Sequence, residues 1–128
     1  MRFVSNNQRK AVFANMLRGD VYLVKHSKPG KKGHTHLKLA WDDQKTVKSF
    51  VVPNLLPTHK GEKRLALYLG RYPKGASLKT GKGIHKGYDV SKKRIGRAIK
   101  IGPGKYELPD DVWLLKMGGD RYLLNKTK

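Results

Sequence analysis

The chain predicts a mainly β fold: a small closed or partly open β-barrel with an N-terminal helix. Three observations predict it. Short runs rich in Val, Leu and aromatic residues recur every ~8–12 residues between Gly, Pro and Asp turns, a spacing typical of barrels and sandwiches. Several of these runs alternate apolar and polar residues, as a strand with one buried face does. No internal repeat interrupts the pattern. At 128 residues the chain fits one domain with a core of its own.

The elements follow in order. Residues 1–19 read as a basic leader helix. Ser5 is placed to N-cap it, and Gln8 three residues later completes a capping box. Val12/Met16 and Phe13/Leu17 form i,i+4 apolar pairs, and Gly19 suits a left-handed stop. The string SNNQRKAVFANM is similar to short leader helices in small proteins of phages and mobile elements. Residues 20–128 then form the barrel domain. VYLVKH (21–26), HTHLKLAW (34–41), TVKSFVV (46–52) and RLALYLG (64–70) are expected strands, as are KYEL (105–108), DVWLLKM (111–117) and DRYLLNK (120–126). Gly118-Gly119 joins the last two as a hairpin. Residues 27–33 read as a turn, 56–63 as a loop and 71–87 as a Gly/Lys-rich surface loop. SKKRIGRAIKI (91–101) reads equally as a basic helix or an extended arm, because Gly96 weakens the helix. Trp41 and Trp113 are expected in the core, and Tyr68 in strand packing.

The charge is large and uneven. Twenty-nine Lys and Arg against nine Asp and Glu give a net charge of +20. Residues 63–106 hold 13 basic residues and one acid, Asp89; residues 1–41 hold nine and one, Asp20. Such a field favours polyanions through release of counterions from phosphates. It predicts binding to DNA or RNA, mostly at the backbone and without base reading. The residues assigned to that contact are Arg9, Lys10, Lys31, Lys32, Lys38, Arg71, Tyr72, Lys92, Lys93, Arg94, Arg97 and Lys100, many of them on a basic loop and arm spanning 71–105. Tyr72 and Tyr88 are candidates to stack on bases. No strongly amphipathic basic helix points to a membrane surface. The chain has no cysteine, no apolar signal-like start and no run of 18 apolar residues, so a cytoplasmic protein is expected.

Chemistry is concentrated in one string, GHTHLKLAW. On a strand, His34 and His36 project from the same face, roughly 7 Å apart along the backbone. His26 closes the preceding strand. Three imidazoles suit zinc and tolerate other transition metals, so His26, His34 and His36 form the candidate metal set. A divalent metal set in a polycation suggests phosphoester chemistry. His85, in a Gly/Lys loop, reads as solvent-exposed, and it and His59 are the other histidines that could serve as a general acid or base.

The order of strings, a strand ending in His26, a basic turn, the His34–His36 strand, then KSFVVP, GEKRLAL and VWLLKMGGDRYLL, resembles the 3′-phosphoesterase domain of DNA ligase D, the bacterial end-joining enzyme, and its stand-alone archaeal relatives. The resemblance covers about residues 21–126. It implies a compact β-barrel with a divalent metal, usually manganese, and removal of 3′-phosphates and 3′-terminal ribonucleotides during DNA repair. His26 and His34 match the family's metal-ligand histidines. His36 falls where the family has an aspartate ligand, and Lys38 where it has a phosphate-contacting arginine. Arg64 matches an arginine of the family's catalytic set. Tyr72 stands where the family has a histidine, and Val24 where it has a glutamine. The catalytic set implied is therefore His26, His34, Lys38 and Arg64. The sequence reads as a nucleic-acid-binding protein on a phosphoesterase-like barrel, its catalysis degenerate or remodelled. The alternatives are an active metal-dependent 3′-end-processing enzyme, or a structural component of a virion or ribonucleoprotein.

Overall fold

The fold is described from a computed structural model over residues 17–128. Nine strands make up almost all of it: β1 (Arg18–Lys28), β2 (Lys31–Trp41), β3 (Thr46–Val51), β4 (Lys63–Pro73), β5 (Gly81–His85), β6 (Tyr88–Gly102), β7 (Lys105–Leu108), β8 (Val112–Gly118) and β9 (Arg121–Lys126). A one-turn helix, α1 (Lys74–Ser77), lies between β4 and β5, and a 3-10 turn (Pro109–Asp111) between β7 and β8. The sheet runs β1-β2-β3-β4-β9-β8-β7-β6, and β6 pairs back onto β1. Eight antiparallel strands thus close a barrel, with β5 attached outside the ring as a hairpin on the first half of β6.

Strand alternation sorts the side chains into two walls. Val21, Leu37, Leu39, Trp41, Phe50, Ala66, Ala98, Tyr106, Leu114, Tyr122 and Leu124 point inward and form one continuous core. Trp41 stacks on Tyr106 and Phe50 meets Tyr122 edge-on, which fills the barrel with aromatic volume. One lysine joins the inner wall: Lys48 donates to the Tyr106 hydroxyl at 2.7 Å and stands over the Tyr68 and Tyr106 rings.

The barrel was expected; several details differ. The leader-helix reading of residues 5–18 falls mostly outside the described residues. Its proposed end does not hold, because Arg18 and Gly19 belong to β1, where Gly19 pairs with Trp41 on one side and Ala98 on the other. The ambiguous 91–101 segment is strand: β6 closes the barrel, and its pairing with β1 overrides the weak local signal. The supposed loop 71–87 contains the end of β4, α1 and β5. Trp113 is only partly buried: it lies outside the core, with the Lys105 ammonium over its ring. Among the described residues no helix is long and apolar enough to cross a membrane.

Candidate metal centre on the outer wall

The outward-facing residues of β1, β2 and β3 are not all exposed. Val24, His26, Lys38, Val47 and Ser49 are as buried as the core, although their register places them outside the ring. The β4-to-β6 connection covers them. Of these, His26, Lys38 and Ser49 line a cavity of about 390 Å³ together with His36, walled on the other side by Ser77 of α1 and by Ile84 and His85 of β5.

Local sequence positions each histidine. His26 and His34 are direct cross-strand partners in the β1–β2 pair, and His36 faces Val24 one step further. All three therefore share one face. Gly33 permits the close pairing at this end, since a Cβ there would sit 2.8 Å from the His26 carbonyl oxygen. The rings cluster tightly: the His26 centroid lies 4.6 Å from His34 and 4.6 Å from His36, which are 4.9 Å from each other. One nitrogen from each ring lies within 4.8 Å of the others, so the group could hold a metal ion. Two β-bulges bracket the site, as they often do functional sites. One, at Ile95, shifts the parity of β6 so that Val90 faces outward beside His26 while Ala98 faces the core. The other, at Leu69, turns Tyr72 outward into the cavity wall, whereas Tyr68 stays on the core.

The electrostatics suit a cation ligand set. Burial pushes the His26 imidazole down to about 4, assisted by His34, His85 and Lys38. Burial pushes His36 down to about 3, with His26, Lys38, His34 and His85 adding to it. Both rings are therefore neutral at physiological pH and have lone pairs to offer. His26 Nδ1 is buried with no hydrogen-bond partner, and the same is true of Ser49 Oγ. Buried polar atoms are nearly always satisfied, so two orphans in one cavity indicate a place built for something polar. The donor set, three neutral imidazole nitrogens, fits a metal cation. Lys38, its charge disfavoured by burial, donates to the Ser77 carbonyl at 3.0 Å and to Ser77 Oγ at 2.7 Å. An ammonium has three N–H donors, so one remains for an anion in the cavity.

The other expected site residues divide. Tyr72 lines the cavity, but its hydroxyl donates to the Leu69 carbonyl. Arg64 does not line it: its guanidinium pairs with Glu62, beside a separate surface groove formed with Lys63, Leu65 and Arg121. Lys31, Lys32, Arg71, Lys92 and Lys93 are exposed, Lys92 lying over the Tyr22 ring. Arg94 and Arg97 are held by Asp20, and Arg97 also by Asp42. Lys100 is half-buried on β6, and Arg9 and Lys10 lie outside the described residues. One residue that the sequence offered only as a substitute acid or base stands beside the site. His85, read as a solvent-facing loop histidine, sits 5.1 Å from the His26 ring. The signal available was the spacing of His85 and Tyr88 around Lys86-Gly87, a two-residue hairpin turn.

Comparison with known proteins finds no matching protein family, no matching curated protein and no matching solved structure.

Proposed function

We propose that this protein binds nucleic acid and carries a metal-dependent phosphoesterase site for 3′ ends, remodelled from the ligase D pattern to an all-histidine ligand set. The observation that carries the reading is the His26, His34 and His36 cluster beside a cavity that His26 and His36 line with Lys38, on a strongly basic barrel. His26, His34 and His36 would hold the cation. When bound, it would polarise a phosphoryl oxygen and lower the pKa of water. Lys38 offers its free N–H to a terminal phosphate. Leu69, Ile84 and Val90 supply the apolar part of the wall. The surrounding lysines draw in the phosphate backbone through counterion release.

The test is a duplex primer-template ending in a 3′-phosphate or a single ribonucleotide, incubated with manganese or zinc in turn. Release of phosphate or of the terminal nucleoside is expected, and its loss in His34→Ala ties the activity to this site. A second reading, a binding module without catalysis, draws support from Arg64 and Tyr72, whose polar groups are engaged by Glu62 and the Leu69 carbonyl. Tight binding with no product under either metal selects that reading.

A further inference from the structure

The β5–β6 hairpin reaches the metal centre through two rings. Its tip is Lys86-Gly87, with φ of 49° and 83°, and positive φ at both positions is the signature of the tight turn that suits antiparallel strands. The turn pairs His85 with Tyr88 across the hairpin. His85 then faces His26 at 5.1 Å, and Tyr88 meets His34 edge-on at 5.6 Å. Three imidazoles thus cluster on the barrel wall, and a fourth, on an attachment outside it, stands beside His26.

The hairpin is lightly held. β5 is an edge strand, joined to β6 at only two register positions, Gly81 with Val90 and His85 with Tyr88, with a break in register between them. None of its residues is in the core, and His85 is exposed while His26 is buried. A histidine on such an arm, aimed at a three-histidine cluster that contains an orphaned buried nitrogen, has a use that ring packing alone does not explain.

We infer that His85 is a fourth, removable ligand, so that the resting protein holds zinc in a closed four-imidazole site and the β5–β6 hairpin is a lid fastened by the metal. Four nitrogen donors match the tetrahedral preference of zinc. Exchange of His85 for an incoming group opens the site without dismantling it, because the other three ligands sit on barrel strands. This inference rests on the three-histidine metal site proposed above, and it adds the source of metal selectivity and the part that moves.

Zinc alone is titrated calorimetrically into the wild type, His85→Ala and His34→Ala, and the visible spectrum of each cobalt-loaded protein is recorded. His85 is exposed, so its alanine variant should fold; circular dichroism checks this. The wild type should show the strong bands of four-coordinate cobalt. His85→Ala should retain metal, bind zinc at least about tenfold more weakly, the lower end of what loss of even an outer-shell partner does, and show the weak bands of a higher-coordinate, hydrated ion. Zinc should also slow proteolysis within 81–88 in the wild type and not in His85→Ala. Unchanged affinity and band strength in His85→Ala, with metal lost in His34→Ala, would overturn the lid and leave the three-histidine site standing. Failure of the wild type to take up zinc or cobalt would overturn both.

Discussion

The inner and outer walls of β1, β2 and β3 come from alternate residues of the same strands, yet they are built to different standards. The inner wall is apolar and aromatic, and its one amine, Lys48, finds the Tyr106 hydroxyl. The outer wall under the β4–β6 connection is just as dry, but it buries His26, Lys38 and Ser49 and leaves two polar atoms unpartnered. Burying a polar atom without a partner costs about 1–3 kcal/mol. A surface selected only for folding would not keep two such atoms on the wall of one cavity. The difference teaches that one set of residues holds the barrel closed while its neighbours form a group that could hold a metal ion.

The sharpest way to break that comparison is a pair of substitutions. Leu39→Ala on the inner wall should lower the unfolding free energy by about 2–5 kcal/mol, the range for truncating a fully buried leucine. His26→Leu on the outer wall should abolish metal uptake in the same titration and yet raise stability by about 1 kcal/mol, by removing an orphaned nitrogen. Both are read from urea denaturation midpoints of the metal-free proteins. Equal losses from the two variants would mean that the outer wall, too, exists for folding.

Acid sharpens the same contrast with a smaller effect. The folded-state values of His26 and His36, about 4 and about 3, lie below the ordinary 6.5. Between these values the unfolded chain binds more protons than the folded one, so stability rises with pH in that window. Their contribution is complete above 6.5 and declines as the pH falls towards 4. The melting temperature of the metal-free protein should therefore drop between pH 7 and 5, and His26→Leu should flatten the drop. An identical pH slope in the variant would show that His26 is not held neutral by burial. The smallest effect concerns the basic surface. Lys92→Ala should reduce the salt slope of nucleic-acid binding by about one. Arg97→Ala should change it less, because Asp20 and Asp42 already occupy its guanidinium. Equal changes in filter-binding titrations would show that those carboxylates yield to phosphate.

What the sequence conveyed was local. Alternation placed β2, β3 and β9, and the His34-x-His36 spacing put two imidazoles on one face because strand geometry alone decides that. What it concealed depended on distant pairing. β6 was ambiguous because a bulge at Ile95 breaks its alternation, and only its ladder with β1 makes it strand. Tyr72 was assigned a role, but its direction depends on the bulge at Leu69 in the β3–β4 pairing. Arg94 and Arg97 looked like free cations because Asp20 lies more than 70 residues away in the chain. His85 looked like loop decoration because the Gly- and Lys-rich string around it carries no strand signal, and the hairpin's position over the histidines is set by β6.

The place of β9 has a consequence for how the molecule is made. The final strand, Arg121–Lys126, lies between β4 and β8 and supplies Tyr122 and Leu124 to the core. Until it emerges from the ribosome, the sheet is an open ribbon with β4 exposed at one edge and β8 at the other. Unpaired edges of that kind recruit strands from neighbouring chains, and pairings this far apart in sequence form slowly. A nascent chain stalled before residue 121 would thus contain all of the clustered histidines and most of the core residues and still be prone to aggregate.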